Sequence, residues 1–259
     1  MFSKYDNKDI EKMLAEVEAL QQTLTNTRPL NEDELRVVYD DFSVEFTYDS
    51  NAIEGNTITL DETFMLIKQG ITAINKTAQE QMEIINHHNL FMQLINEVKS
   101  KKLMSEKLIL DIHKSLLYSS HPEIAGKYRK IDVGVGRMED FYHAPQFDKV
   151  PDMMKQFVSE FNANKQKGIL DFVDAHIDFE SIHPFADGNG RVGRMLLNFQ
   201  LIKAGYLPIN IKFADRRDYY NAFKNIRKIK DSTFMYGIVL ALQIESIKNR
   251  LDILRNNLH

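Results

Sequence analysis

Apolar residues recur at helical spacing along most of the chain. Ile10, Met13, Leu14, Val17, Leu20 and Leu24 fall three or four apart and so share one face of a helix. A second helix is predicted from Asn31, which with Glu34 has the form of a capping box, to Glu54, with Gly55 as its stop. The same spacing predicts further helices over about 60–70, 77–100, 105–119, 149–166, 169–183, 190–204, 215–229 and 231–257. The pattern breaks over 128–146, where alternation, Gly134, Gly136 and then Pro145 predict a short β-hairpin or flap. The fold class is therefore mainly α, a single domain with an amino-terminal helical arm and neither repeats nor low-complexity linkers.

Composition narrows the functional classes. At 259 residues and 43% apolar the chain can bury a sizeable core. Its formal net charge of −4 gives no general attraction to a nucleic-acid backbone, so a bound phosphate needs a local site. The absence of cysteine excludes disulfides and thiolate metal sites. The longest apolar run, Phe234 to Ile244, is about half of a membrane span and reads as a buried helix. Residues Met1 to Asp9 carry no signal-peptide pattern, so the expected location is the cytoplasm, with neither membrane nor nucleic acid as partner.

The chemistry concentrates in Ser181-Ile182-His183-Pro184-Phe185-Ala186-Asp187-Gly188-Asn189-Gly190-Arg191-Val192-Gly193-Arg194, which reads as helix, loop, helix. A residue before proline is pushed out of the α region, so His183 is expected where the first helix stops, its imidazole facing the loop as a general base. Gly188 and Gly190 allow a tight turn at the start of the next helix, a natural phosphate site. Arg191 and Arg194, three apart, are expected to grip phosphates of one ligand. Asp187 is the candidate Mg²⁺ carboxylate, one being enough when substrate phosphates and water complete the shell. No Walker loop and no kinase signature accompanies these residues.

This segment resembles the Fic family signature His-x-Phe-x-Asp/Glu-Gly-Asn-Gly-Arg-x-x-Arg at every fixed position. Gly126-Lys127-Tyr128-Arg129 and the flanking helices extend the resemblance over about residues 75–230. It implies a Fic-fold helical bundle divided as an amino-terminal arm over 1–74, a core over 75–230 and a carboxy-terminal helix over 231–259 packed on that core. The implied activity is protein adenylyltransfer: AMP passes from ATP to a Tyr, Thr or Ser hydroxyl of a protein, the enzyme itself included. His183 would be the base and Asp187 the Mg²⁺ ligand. Gly188, Asn189 and Gly190 would form an anion hole, Arg191 and Arg194 would hold the phosphate tail, and Val192 and Gly193 between the two arginines would complete the nucleotide-binding loop. Val135, Gly136, Arg137 and Met138 resemble the flap that covers the nucleotide, and Tyr219-Tyr220 an aromatic pair lining it.

A second motif, Ser50-Asn51-Ala52-Ile53-Glu54-Gly55-Asn56, matches the family's inhibitory pattern, Ser/Thr-x-x-x-Glu-Gly/Asn. A carboxylate at a helix carbonyl end is electrostatically misplaced, so Glu54 wants an external cation. The resemblance names Arg194 and implies autoinhibition by Glu54 with Ser50, within a helix over about 31–55. Two rival functions remain: removal of AMP at the same site, and a non-catalytic nucleotide-dependent module. His87-His88 cannot share a helix face and read as structural; His176 and Glu180 read as packing or loop-orienting, and His113 and His143 have no assigned role. The long terminal helices leave homo-oligomerisation open.

Overall fold

The apolar stripes seen in the sequence become helices that share two adjoining cores. The structure, a computed structural model, describes residues 5–27, 32–98, 103–136 and 141–256. Ten helices lie among the described residues: α1 (Asn7–Thr25), α2 (Glu32–Ile53), α3 (Leu60–Gln69), α4 (Ala78–Glu97), α5 (Glu106–Leu117), α6 (Val150–Ala163), α7 (Ile169–Ile182), α8 (Asn189–Lys203), α9 (Arg216–Ile229) and α10 (Thr233–Asn256). The break at 128–146 holds an antiparallel pair, β1 (Gly134–Val135) and β2 (Tyr142–His143), with Gly134 opposite His143 and Val135 opposite Tyr142. The expected cap at Asn31 and the flap residues Arg137 and Met138 lie outside the described residues.

Local chemistry explains where helices start. Asp6, Thr59 and Thr77 each accept a bond from the amide three residues on, and Asp9, Glu62 and Glu80 return it, so three helices open with capping boxes. Gly70 closes α3 in the left-handed region at φ 68°.

One core joins α1, α7, α9 and α10 through Val17, Val173, Tyr219, Ala222, Met235 and Val239. The second joins α4, α5, α6, α7 and α8 through Phe91, Ile109, Leu116, Met154, Phe179 and Met195. Helices α7 and α8 belong to both, so the loop between them is anchored at each end in packed core. Helix α1 runs parallel to α10, Tyr5 packing its ring onto Gly237 and Glu16 meeting Lys248 at 2.8 Å. Helix α2 crosses α4 and α8, held to α4 by Thr47 Oγ1–His87 Nδ1 at 2.9 Å and Ser43 Oγ–His88 Nδ1 at 2.8 Å. The paired histidines are thus helix-to-helix ties.

Candidate active site

The α7–α8 loop is a folded object of its own. Asn189 clasps it, the side-chain oxygen accepting from Phe185 N–H at 2.9 Å and the amide donating to Phe185 O at 2.8 Å. His113 of α5 braces it from below, stacked on Phe185 at 3.7 Å with rings 2° from parallel. Its Nδ1 accepts from Gly126 N–H at 2.9 Å, which leaves Nε2 to donate to the Asp187 carbonyl at 3.1 Å. Arg129 holds the other side. Its Nε donates to His183 O at 2.9 Å, Nη1 to Ile131 O at 3.0 Å and Nη2 to Pro145 O, while its amide bonds Pro184 O at 3.0 Å. One buried guanidinium therefore ties the α7–α8 loop to both ends of the flap.

His183 ends α7 as expected but in the left-handed region, φ 51° and ψ 59°, where the proline rule alone predicts an extended residue. Its N–H bonds Phe179 O and its carbonyl is fixed by Arg129, so the surroundings impose a conformation that a non-glycine residue rarely adopts. Its side chain is 19% exposed. Burial pulls its pKa down to about 4, against the opposing pull of the Glu180 carbonyl, Glu54 and Asp187. At neutral pH it is an uncharged base.

Helix α8 opens at Gly188, φ 80°, with no side-chain cap. The amides of Asn189, Gly190 and Arg191 lie in the first turn, where the helix offers no acceptor, and they form the positive end of its dipole. The carboxylate of Glu54, which follows α2, lies over this turn: a Cβ on Gly190 would overlap Glu54 Oε1. What this turn presents to Glu54 is backbone, since the Asn189 side chain is engaged in the clasp.

The two arginines diverge. Arg194 Nη2 meets Glu54 Oε1 at 2.7 Å and Ser50 O at 2.8 Å, and its Nε donates to Ser50 Oγ at 3.0 Å. Burial, the largest single influence, works against its charge, yet Glu54, Tyr219 and Glu180 together outweigh it and hold its pKa above the ordinary arginine value. Arg191 instead lies between Glu83 of α4, Nη1–Oε1 3.4 Å, and Asp187, Nη2–Oδ2 3.2 Å. Glu83 also accepts from Asn56 at 3.1 Å, so the segment after Glu54 reaches Arg191 as well. Val192 is fully buried, and Gly193 faces Glu180 and His176.

The tyrosine pair divides. Tyr219 is 2% exposed, its hydroxyl 2.7 Å from His176 Nε2, and belongs to the core behind Arg194. Only Tyr220 reaches the surface, with its hydroxyl on Ile53 O at 3.1 Å. Of the expected pair, Tyr219 is core and Tyr220 alone is open to a ligand. On the flap, Val135 lies in β1 and Gly136 follows it, Phe141 packs over Gly134, and the Tyr142 hydroxyl donates to Glu180 O at 3.4 Å.

Residues 103–201 match the Fic/DOC family. The chain belongs to that family. It is 34% identical over 182 residues to the protein adenylyltransferase Fic of Nematostella vectensis, covering 67% of this chain and 40% of that protein. Its fold is that of a Fic-domain-containing signaling protein from Bacteroides thetaiotaomicron, TM-score 0.83 at 23% identity over 95% of this chain and 97% of the other. Fic-1 from Caenorhabditis elegans superposes with a TM-score of 0.81 at 25% identity over 95% of this chain and 73% of that one. The Fic chain thus spans about two fifths of the length of the Nematostella relative it matches.

Sequence reasoning missed three residues of this Fic site: Glu83, His113 and Arg129. Each acts on a partner at least fifty positions away, and no local pattern marks such a contact. The Lys-Tyr-Arg approach was the only signal, for Arg129. No helix among the described residues is long and apolar enough to cross a membrane. No group of three or more potential metal ligands lies among them either.

Proposed function

We propose that the chain transfers AMP from ATP to a hydroxyl of a protein and that Glu54 restrains this transfer. The observation that carries the reading is the meeting of a neutral His183, the open first turn of α8 and Arg194 around one carboxylate, Glu54. A carboxylate in that position marks a place where phosphate oxygens fit. The relatives named protein adenylyltransferase support the donor and the reaction class.

In this reading the phosphates lie over the amides of Asn189, Gly190 and Arg191, with the hydroxyl held under the flap. His183 takes the hydroxyl proton, the freed oxygen bonds to the α-phosphorus, and the bond from the α-phosphorus to the bridging oxygen breaks, releasing diphosphate. Asp187 is half exposed beside the α8 N-terminus, and a lone accessible carboxylate fits Mg²⁺ that arrives on the nucleotide's phosphates. Bound there, Mg²⁺ supplies charge neutralisation for the leaving diphosphate. Arg194, once parted from Glu54, adds to it. The protein substrate, self-modification and self-association all belong to this proposal.

The test is incubation of wild-type, Glu54→Gly and His183→Ala proteins with α-labelled ATP and magnesium, following label on the protein and in a lysate. Label should rise in the Glu54 variant and vanish in the His183 variant. A second reading, removal of AMP, draws on the partly exposed Glu54 carboxylate, placed to orient a water. Release of AMP from a modified protein without any forward labelling would favour it.

A further inference from the structure

Glu180 is placed where a carboxyl group is costly. It stands in the last turn of α7, whose carbonyl end disfavours negative charge, and its Oε1 is buried with no hydrogen-bond partner. An apolar residue of similar size would avoid that cost. The neighbouring helix bears a second cost on its behalf, because a Cβ on Gly193 would overlap Glu180 Oε1, and glycine inside a helix is unfavourable. Two features that each weaken the fold converge on one carboxyl group.

What Glu180 faces is the imidazole of His183. Its Oε2 is 4.0 Å from His183 Nδ1, and that nitrogen is also buried without a partner. The other groups around this carboxyl are His176 on its own helix, Arg194 of α8, Glu54 after α2 and Tyr219 of α9. None of them bonds the two orphaned atoms. We propose that Glu180 is the positioning residue for His183: its carboxyl receives the Nδ1–H, leaving Nε2 bare toward the target hydroxyl. The proposal rests on His183 being the base of the transfer. When Nε2 takes the hydroxyl proton, the resulting imidazolium keeps Nδ1–H directed at Glu180, as an acid partner does in other base-orienting pairs. Burial, with Glu54 adding to it, raises the Glu180 pKa to about 8, so its ionisation above that pH makes His183 a stronger base.

The competing acceptor is the main-chain carbonyl of Glu180 itself, which also faces the His183 ring and takes the Tyr142 hydroxyl at 3.4 Å. Substitution separates the two. Histidine ¹⁵N NMR of the full chain should find His183 as the Nδ1–H tautomer in wild-type protein and a mixture of tautomers in Glu180→Ala. Transfer by Glu180→Ala should fall by roughly tenfold or more in kcat with the KM for ATP within about a factor of two. Glu180→Gln, whose amide oxygen still accepts, should keep the tautomer but lose the rise in rate that wild-type enzyme shows through about pH 8. An unchanged tautomer in Glu180→Ala, or the same rise near pH 8 in Glu180→Gln, overturns the proposal; if the Ala variant does not fold, the Gln variant decides alone. The NMR reads the contact without turnover, so a wild-type protein and a Glu54→Gly variant that transfer no label would defeat the transferase reading separately.

Discussion

Arg194 reaches across 140 positions of sequence to Glu54, Nη2 to Oε1 2.7 Å, and is 2% exposed where Glu54 is 32% exposed. The pair is therefore asymmetric: the arginine cannot recover water if the glutamate leaves, whereas the glutamate can. Removing Glu54 leaves a buried cation with neutral partners, the Ser50 hydroxyl and carbonyl and Tyr219, and the more distant Glu180. Glu54→Gly should lose roughly 3 kcal/mol of unfolding free energy without nucleotide. Under the proposed function, ATP supplies the missing anion and restores part of that loss. Urea titration with and without ATP checks both halves, and the same variant should gain at least about tenfold in label transfer.

The Gly193 notch makes a double-substitution prediction. Gly193→Ala drives a methyl into Glu180 Oε1 and should destabilise the protein by about 1–3 kcal/mol. Shortening the obstructing side chain in the same molecule, Gly193→Ala with Glu180→Ala, should return most of it. Additive losses in chemical denaturation would mean that the two positions do not meet.

How much of this site could be read from the sequence depends on how far each partner lies along the chain. Helices α3, α4 and α7 to α9 are legible because apolar spacing is local; the boxes Thr59-x-x-Glu62 and Thr77-x-x-Glu80, equally local, come from the structure. The 183–194 loop was legible as a motif, and Glu54 with Arg194 through a second motif. Three-residue spacing places Arg191 and Arg194 on neighbouring helix faces but does not say which carboxylates they meet, here Glu83 of α4 and Glu54 after α2. The tyrosine pair illustrates the same limit. Adjacent helical positions differ by about 100° around the axis, so Tyr219 enters the core and Tyr220 stays at the surface. The left-handed backbone of His183 depends on Arg129, 54 positions earlier, and no local rule contains it.

Buried titratable groups give stability a dome in pH. Burial lowers His113 to about 4 and His176 to about 3, below the ordinary histidine value, so the unfolded chain binds protons first on acidification. Their contribution is present above pH 6.5 and is lost as pH falls toward 4, for His113 by roughly 3 kcal/mol. Glu180 works in the opposite direction. Raised to about 8, it favours the fold fully below about pH 4.5, and that contribution is lost as pH rises through 8. Urea titrations should therefore find a maximum between these limits. Glu180→Gln should exceed wild type at pH 9 and match it at pH 4.

Arg129 offers the clearest test of how flap and loop are joined. Its side chain bonds three carbonyls, of His183, Ile131 and Pro145, with Asp132 as the nearest carboxylate at 3.9 Å. A lysine keeps the charge but has no planar fork, so it can satisfy one of those carbonyls well and not all three. Arg129→Lys should lose about 2–4 kcal/mol of stability, since buried carbonyls left without donors each cost about 1–3 kcal/mol. The flap itself should loosen ahead of the global loss. Ala144 N–H, which bonds Val133 O at 3.1 Å across the flap's base, should exchange with solvent faster in Arg129→Lys while core amides such as that of Met195 change only with overall stability. Equal acceleration at both positions would show that Arg129 supports the whole fold rather than the junction of flap and loop. If the junction is what it holds, the Lys variant should also raise the KM for the protein substrate, whose hydroxyl the flap holds in the proposed reaction.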